Sequence, residues 1–363
     1  MTSTSPSTTT TTTTTKKLTT RSSPRAALST LQWPALRFRL LDEAGEPMDL
    51  ALRRVRIKDG AVVDAEDVRH EDHDGVGALT ALLEDRGFTI DSMPAVADPD
   101  VPGVWRRLLL LRAYVSAIRG WPQRWKHEPD WTVKVGGPSP AVAVLDVATT
   151  TALLKSLKAS SSGLTAGVVS ALDRTAAALL LDEESPRRWM VPVNMRRSSH
   201  KGPDDYKNAV TSLLVPFPTA QSPAEVHAVL KDMLARRWHW GTTLMSALLS
   251  RMSHARLRRM LARFDGRKSI FGYVSNVGSW PPAGVVDVDG DDDSTWALIP
   301  PVGRRGPLAT VLLIYRGRLS IALHAHGCLR LDDEAVASLL RTAVASLLSE
   351  QRLDGVAVVH SVR

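Results

Sequence analysis

The sequence predicts an α+β protein, an α/β sandwich built as two lobes. Two observations predict it. The chain has 363 residues, more than one hydrophobic core usually serves, and segments with strand and helix patterns alternate through its second half. The glycine- and proline-rich segment WTVKVGGPSP predicts a lobe boundary. We therefore expect a disordered threonine-rich tail at 1–30, an N-terminal lobe at 31–138 and a C-terminal lobe at 139–363.

The N-terminal half begins with two predicted strands, LRFRLL and LALRRVRI, separated by the turn-like DEAGEP. The next segment, DAEDV, is polar and predicts at most a weak strand. The first predicted helix has an apolar face made of Val76, Leu79, Leu82 and Leu83, and Gly87 is positioned to end it. A second helix is predicted from Val104 to Arg119.

The C-terminal half alternates strands and helices. AVAVLD predicts a strand followed by a helix that Asp146 caps, and Thr165 is a candidate cap for the next helix. WMVPVNM and NAVTSLLVPFP predict two strands, and SPAE at Ser222–Glu225 predicts a capping box with proline in the first turn. SIFGYVSNVG predicts another strand. PLATVLLIYRGRLSIALHAH predicts a hairpin that turns at Arg316 and Gly317, and the helix DDEAVASLLRTAVASLLSE follows.

The charge balance bears on the choice of partner. A net charge of +8 and a pI near 9.8 would fit an anionic partner. The basic residues are mostly arginines spread along helices, as in RRLLLLR and RRMLAR, which favours solvated helix faces over a nucleic-acid-binding stripe. We therefore expect no nucleic-acid partner, with a basic nucleic-acid-binding protein as the weakest alternative, and keep small anions such as coenzyme A phosphates as partners.

Cysteine content and hydropathy bear on the cellular compartment. The single cysteine, Cys328, excludes an internal disulfide and a cysteine-based zinc site, and indicates a reducing compartment. No apolar run reaches the length of a membrane span, and the N-terminus lacks an apolar signal core. The sequence predicts a cytoplasmic protein without a membrane span.

His70, Asp74 and Gly75 form an HxxxDG pattern between a strand-like and a helix-like segment. A histidine there can project into a cleft, while the aspartate pins the loop and the glycine permits the turn into the helix. A neutral imidazole can then take a proton from a hydroxyl or amine nucleophile, which suits acyl transfer. Two other interpretations stay open: a solvated acidic loop, HEDHD, and a metal clamp of His70, His73 and Asp74, which lacks a distant third histidine motif.

Two later segments carry further candidate residues. Arg196, in VPVNMRR before NAV, follows a predicted buried strand. A buried arginine needs a carboxylate partner, for which Asp74 is the candidate. An exposed arginine at a strand end is the alternative. Ser275 and Asn276, in SNVG, end a strand and could donate hydrogen bonds to an oxyanion. A plain exit from strand to turn is the alternative for them.

Taken in this order, RHEDHDG, VPVNMRR, NAV, SNVG and the terminal hairpin and helix resemble the chloramphenicol acetyltransferase-like superfamily. That superfamily includes condensation domains of nonribosomal peptide synthesis, wax ester synthases and polyketide-associated acyltransferases. The resemblance is clearest from about Ala141 to Leu348. It implies two similar lobes that form a V, with the active site and a substrate tunnel at their junction. The family motif is HHxxxDG, and here Arg69 replaces the first histidine.

The resemblance implies a role for each matching residue. His70 would be the general base, Asp74 would pair with Arg196 to hold the loop that Gly75 ends, and Ser275 with Asn276 would bind substrate near the channel. The implied function is transfer of an acyl group, as in secondary metabolism, from a coenzyme A or carrier-protein thioester to a hydroxyl or amine acceptor. It requires no metal or organic cofactor beyond the donor.

An alternative hypothesis follows from the departures from the motif. Arg69 and the irregular N-terminal half are also compatible with a catalytically inactive, condensation-like protein that binds a carrier protein or an assembly line.

Overall fold

The fold is described from a computed structural model. It covers residues 51–70, 73–90, 93–94, 100–117, 125–133, 136–180, 187–196, 209–217, 220–253, 255–257, 259, 270–281, 294–304, 306–353 and 358–362. The tail expected at 1–30 and the strand predicted for LRFRLL lie outside these ranges.

The described ranges contain ten strands and seven α-helices. The strands are β1 Ala51–Lys58, β2 Ala61–Arg69, β3 Ala141–Leu145, β4 Arg187–Asn194, β5 Val210–Phe217, β6 Gly272–Trp280, β7 Thr295–Ile299, β8 Leu308–Tyr315, β9 Arg318–Ala325 and β10 Val358–Ser361. The helices are α1 Gly75–Asp85, α2 Val104–Ala117, α3 Val147–Ala159, α4 Leu164–Ala176, α5 Pro223–Ala235, α6 Trp238–Ser250 and α7 Asp333–Glu350. The predicted α+β class is confirmed.

The strands form a large mixed sheet and a small antiparallel one. The large sheet has the order β10-β3-β9-β8-β6-β4-β5, in which β6 runs parallel to β4 and β8 while the other neighbours are antiparallel. The small sheet has the order β2-β1-β7. Because β7 follows β6 along the chain but pairs with β1, the small sheet joins the two halves of the sequence.

Each face of the large sheet is buried in a different cluster. One face packs against α3, α4, α5 and α7 in the largest core cluster, which takes Leu312 from β8 and Val274 from β6. The other face packs against α1 and the small sheet, and takes Val311 and Leu313 from β8. Since side chains alternate along a strand, packing on both faces of the sheet explains why every residue of β8 is buried.

The strand before the motif is stronger than the sequence predicts. DAEDV lies inside β2, which pairs with β1 from Ala61 to Arg69 apart from a bulge at Val63. Its acidic side chains are stable there because they meet arginines: Asp67 accepts from Arg53 at 2.8 Å, and Asp64 accepts from Arg86 at 3.0 Å. Low strand propensity is outweighed by these charged pairs on an exposed edge strand.

Most predicted helix ends and turns are confirmed. Asp146 caps α3 by accepting from the Thr149 amide at 2.7 Å, and Ser222 begins α5 with the predicted capping box. Thr165 was the wrong choice for α4, because Gly163 is the N-cap and Thr165 lies inside the first turn. The hairpin between β8 and β9 turns at Arg316 and Gly317, with φ of 49° and 77°.

In the part of the chain that the structure describes, no helix is both long and apolar enough to cross a bilayer. The border expected at 138/139 falls in the segment before β3, where the Gly136 carbonyl accepts from the Gly327 amide. The V arrangement and the division into lobes stay predictions.

Candidate active site

The Asp74 carboxylate is hydrogen-bonded to three residues. It is 2% exposed and caps α1 by accepting from the Gly77 amide at 2.9 Å. Its two oxygens also accept from the two terminal nitrogens of Arg196, Oδ1 at 2.8 Å and Oδ2 at 3.0 Å. The Ala209 amide donates to Oδ2 at 2.9 Å. The predicted pair therefore forms, in the bidentate geometry that makes arginine–carboxylate pairs strong.

Arg196 is held from a second side by a residue that the sequence analysis did not single out. The Asn194 side-chain oxygen accepts from the backbone amide of Arg196 at 3.0 Å and from its guanidinium at 3.3 Å. The Asn194 amide nitrogen donates to the Pro94 carbonyl at 2.5 Å. An asparagine ending a buried strand next to an arginine was the available signal for this positioning role.

His70 follows β2 directly and is half-buried. Its Nδ1 lies 2.7 Å from the His73 carbonyl oxygen. Because a carbonyl can only accept, Nδ1 carries the proton in this contact and Nε2 carries the lone pair of the neutral ring. Desolvation by burial lowers the pKa of His70, although the hydrogen bond to His73 and the charge of Asp74 oppose this. The ring is therefore neutral near pH 7, the form that a general base needs.

Gly75 is required by close packing. A Cβ built on it would lie 2.9 Å from Val277 Cγ2, nearer than real side chains approach. The motif thus lies directly against β6, the strand that carries Ser275 and Asn276.

Ser275 and Asn276 have different neighbours. Alternation along β6 puts Ser275 on the same face as Val277, towards the motif, and Asn276 on the opposite face. Asn276 Nδ2 donates to Thr165 Oγ1 at 3.1 Å, at the start of α4, and its Oδ1 accepts from the Gly278 amide. The structure therefore does not bring the two predicted substrate-binding side chains together on one face.

The described residues do not favour cysteine-based catalysis or metal binding. Burial raises the pKa of the Cys328 thiol to about 12, so this cysteine is a poor nucleophile near pH 7. In the described ranges, no group of three or more histidine, cysteine or acidic side chains comes together as a metal site. In the HxxHD segment, the Asp74 carboxylate is engaged by Arg196 and two amides. These bonds favour a structural role for Asp74 over ligation.

The fold was compared with solved structures. The cyclization-docking bidomain of the EpoB nonribosomal peptide synthetase from Sorangium cellulosum matches with a TM-score of 0.51 at 12% identity, over 80% of this chain and 60% of that chain. This chain has a chloramphenicol acetyltransferase-like fold. At such low identity the match establishes the fold alone, and the chain spans less than two thirds of the EpoB structure.

Two further matches are weaker. The trichothecene 15-O-acetyltransferase TRI3 from Fusarium sporotrichioides has a TM-score of 0.46 at 13% identity, over 71% of this chain and 56% of that one. The first condensation domain of the CDA synthetase has a TM-score of 0.47 at 16% identity, over 81% and 64%. No family model and no curated protein sequence matches this chain.

Proposed function

We propose that this protein is an acyltransferase that moves an acyl group from a thioester to a hydroxyl or amine acceptor. The observation that carries the proposal is the position of His70 at the end of β2, where its Nδ1 lies 2.7 Å from the His73 carbonyl oxygen. This arrangement leaves Nε2 as the basic nitrogen. The chloramphenicol acetyltransferase-like fold supports the same class of chemistry.

The proton would move twice. His70 Nε2 takes the proton of the acceptor O–H or N–H as its oxygen or nitrogen attacks the thioester carbonyl carbon. The resulting tetrahedral oxyanion collapses, the carbon–sulfur bond breaks, and the imidazolium returns the proton to the departing thiolate. The products are an ester or amide and a free thiol, so the cycle requires no metal or organic cofactor.

The other site residues would act as supports. Asp74 and Arg196 hold the loop so that His70 keeps its position, and Gly75 allows that loop to pack on β6. Ser275, half-buried on the motif's face of β6, is the better candidate donor to the oxyanion. Asn276 would act from the α4 side, where Thr165 orients its amide.

The donor would be an acyl group on coenzyme A or on a carrier protein, and a carrier protein would then be a partner. The net charge of +8 would favour either anionic donor. We further propose a cytoplasmic location, consistent with a single, buried cysteine.

The test measures thiol release from a panel of acyl thioesters, on coenzyme A and on a carrier protein, with alcohols and amines as acceptors. His70→Ala should lower the rate by about 10²- to 10⁴-fold, the usual contribution of a general base. His73→Ala is the matched control, because His73 contacts His70 through its backbone carbonyl. We expect that variant to stay active.

Full activity in folded His70→Ala would contradict the catalytic assignment. Binding of a carrier protein without turnover of any thioester by the wild type would instead support the alternative, an inactive assembly-line partner. Salt-dependent DNA binding without turnover would support the nucleic-acid alternative.

A further inference from the structure

Helix α2 has large apolar side chains both on the side that packs on α6 and on a side that is exposed. Its sequence, VWRRLLLLRAYVSA, contains no acidic residue. One side packs on α6, where a Cβ on Gly241 would lie 2.6 Å from the Leu111 backbone nitrogen and where Tyr114 meets Trp238 at 6.0 Å between ring centroids. Large apolar side chains also lie on the side of α2 that faces away from α6, and their exposure requires an explanation.

The outer side of α2 exposes large apolar side chains. Trp105 is 82% exposed, Leu109 67% and Val104 54%. Trp105 and Leu109 are four residues apart and therefore lie next to each other on one face. Helices α2 and α6 run antiparallel, because Trp238 meets Tyr114 while the later Gly241 meets the earlier Leu111. The exposed Leu248 of α6 is therefore level with the start of α2. Neighbouring exposed apolar side chains such as Trp105 and Leu109 are typical of an interaction site.

The charged side chains on α2 itself are all positive. Arg106 and Arg112 are exposed on α2, and Arg107 is half-buried beside them. No acidic residue of α2 offsets these three arginines. Exposed tryptophan and leucine flanked by arginine are the composition of helices that lie in the interface of an anionic bilayer, where the indole sits among the headgroups and the guanidinium reaches the phosphates.

We propose that the outer face of α2, defined by Val104, Trp105, Arg106, Leu109 and Arg112, docks onto an anionic lipid bilayer. Trp105 and Leu109 insert at the level of the headgroups, and the arginines contact lipid phosphates. The proposal concerns surface binding by a helix that lies along the membrane, and it does not depend on the acyltransferase proposal.

The docking face is connected to the motif through α6. Thr242 on α6 lies 2.8 Å from Thr211 on β5, oxygen to oxygen. Two residues before Thr211, the Ala209 amide donates to Asp74. A bilayer bound at α2 would therefore lie one helix away from the strand that anchors the motif loop.

The test is sedimentation of the full-length protein with vesicles of phosphatidylcholine alone and of phosphatidylcholine mixed with phosphatidylglycerol. We expect binding to the anionic vesicles only. Arg106→Gln combined with Arg112→Gln should weaken the partition coefficient about 30-fold, at about 1 kcal/mol per arginine near the surface. Trp105→Glu combined with Leu109→Glu should abolish binding.

The matched control carries the same charge change elsewhere. Val62 and Val63 of β2 are also exposed, at 37% and 49%, so Val62→Glu with Val63→Glu should leave vesicle binding close to wild type. If the glutamate variants misfold, the same contact can be measured by the quenching of tryptophan fluorescence with brominated lipid. We expect quenching in the wild type and less quenching in Trp105→Phe.

Equal binding to both vesicle types, no binding to either, or binding that survives Trp105→Glu with Leu109→Glu would overturn the proposal. So would self-association through α2 in the absence of lipid, since the face would then be a contact between copies of this chain. Acyl transfer by the wild type in solution would leave the outcome of this test unaffected, so the two proposals fail separately.

Discussion

Two buried arginine–aspartate pairs serve different parts of this molecule. Asp173 and Arg187 join α4 to β4 in the main core, with contacts of 2.7 and 2.8 Å. Asp74 and Arg196 join the motif loop to the segment just after β4 at similar distances, through the two terminal guanidinium nitrogens instead of Nε and one terminal nitrogen. The first pair spans 14 residues of sequence and the second spans 122.

The difference lies in what else each aspartate holds. Asp173 also accepts from the Trp189 indole nitrogen at 2.7 Å, so its partners are side chains of the adjacent strand. Asp74 accepts two backbone amides, one on each of two separate segments. The core pair therefore stabilises a helix against a strand, whereas the motif pair also fixes backbone positions around His70. Similar chemistry has a mainly energetic role in one place and a positioning role in the other.

Removing one partner from each pair should separate these roles. Asp173→Ala and Asp74→Ala should each lower the free energy of unfolding by about 3–5 kcal/mol, because a buried arginine loses its carboxylate. Only Asp74→Ala should also lower kcat/KM of the folded fraction, by about 100-fold, through displacement of His70. Urea unfolding and kinetics on the same samples measure both. Equal activity losses in the two variants would remove the distinction.

Replacing both partners with apolar residues should sharpen the contrast. Asp173→Leu with Arg187→Met should recover most of the lost free energy of unfolding. A deficit of about 1–3 kcal/mol should remain, because the buried Trp189 indole N–H loses its acceptor. Asp74→Leu with Arg196→Met should not restore activity, since two backbone amides lose their acceptor. Recovery of wild-type kcat/KM in that double variant would show that the pair only stabilises the fold.

Gly75→Ala tests the packing of the motif on β6. The added methyl would meet Val277 Cγ2 at 2.9 Å, and such overpacking costs about 1–3 kcal/mol of unfolding free energy. Val277→Ala should make room for it, so the double variant should be more stable than the sum of the single effects predicts. Simple additivity in urea unfolding would mean that this contact does not constrain the motif.

The smallest predicted effect is on pH dependence. Because burial lowers the pKa of His70 below the ordinary 6.5, its neutral form persists to lower pH. The acid limb of kcat/KM should therefore have its midpoint below pH 6.5. Between its lowered folded-state pKa and the ordinary 6.5, His70 is unprotonated in the folded protein but protonated in the unfolded chain. Lowering the pH below 6.5 therefore favours unfolding and reduces the free energy of unfolding. A midpoint above 6.5 would contradict a base buried in this way.

Local patterns in the sequence predicted much of the fold. Capping residues such as Asp146 and Ser222, and the Arg316–Gly317 turn, act over a few residues, so their signals are visible in the chain itself. β2 was underestimated because its acids are stabilised by arginines of other elements, which a propensity cannot include. Thr165 looked like a cap, but Gly163 has that position.

The candidate site was predicted in part. Arg196 could be matched to Asp74 because a buried arginine needs a carboxylate and the family resemblance supplied the pairing. Asn194 and the Ala209 amide were missed, since a backbone donor has no sequence signature. The opposite faces of Ser275 and Asn276 follow from alternation along a strand, but which face meets the motif depends on tertiary packing.

The three attachments of Asp74 bear on when the motif acquires its shape during synthesis. Its N-cap bond to Gly77 is local, but Arg196 and Ala209 emerge from the ribosome more than a hundred residues later. A nascent chain that stops before β4 can form α1 but lacks every distant partner of Asp74. The loop around His70 is therefore completed late, and its final geometry reports that the chain has folded through the start of β5.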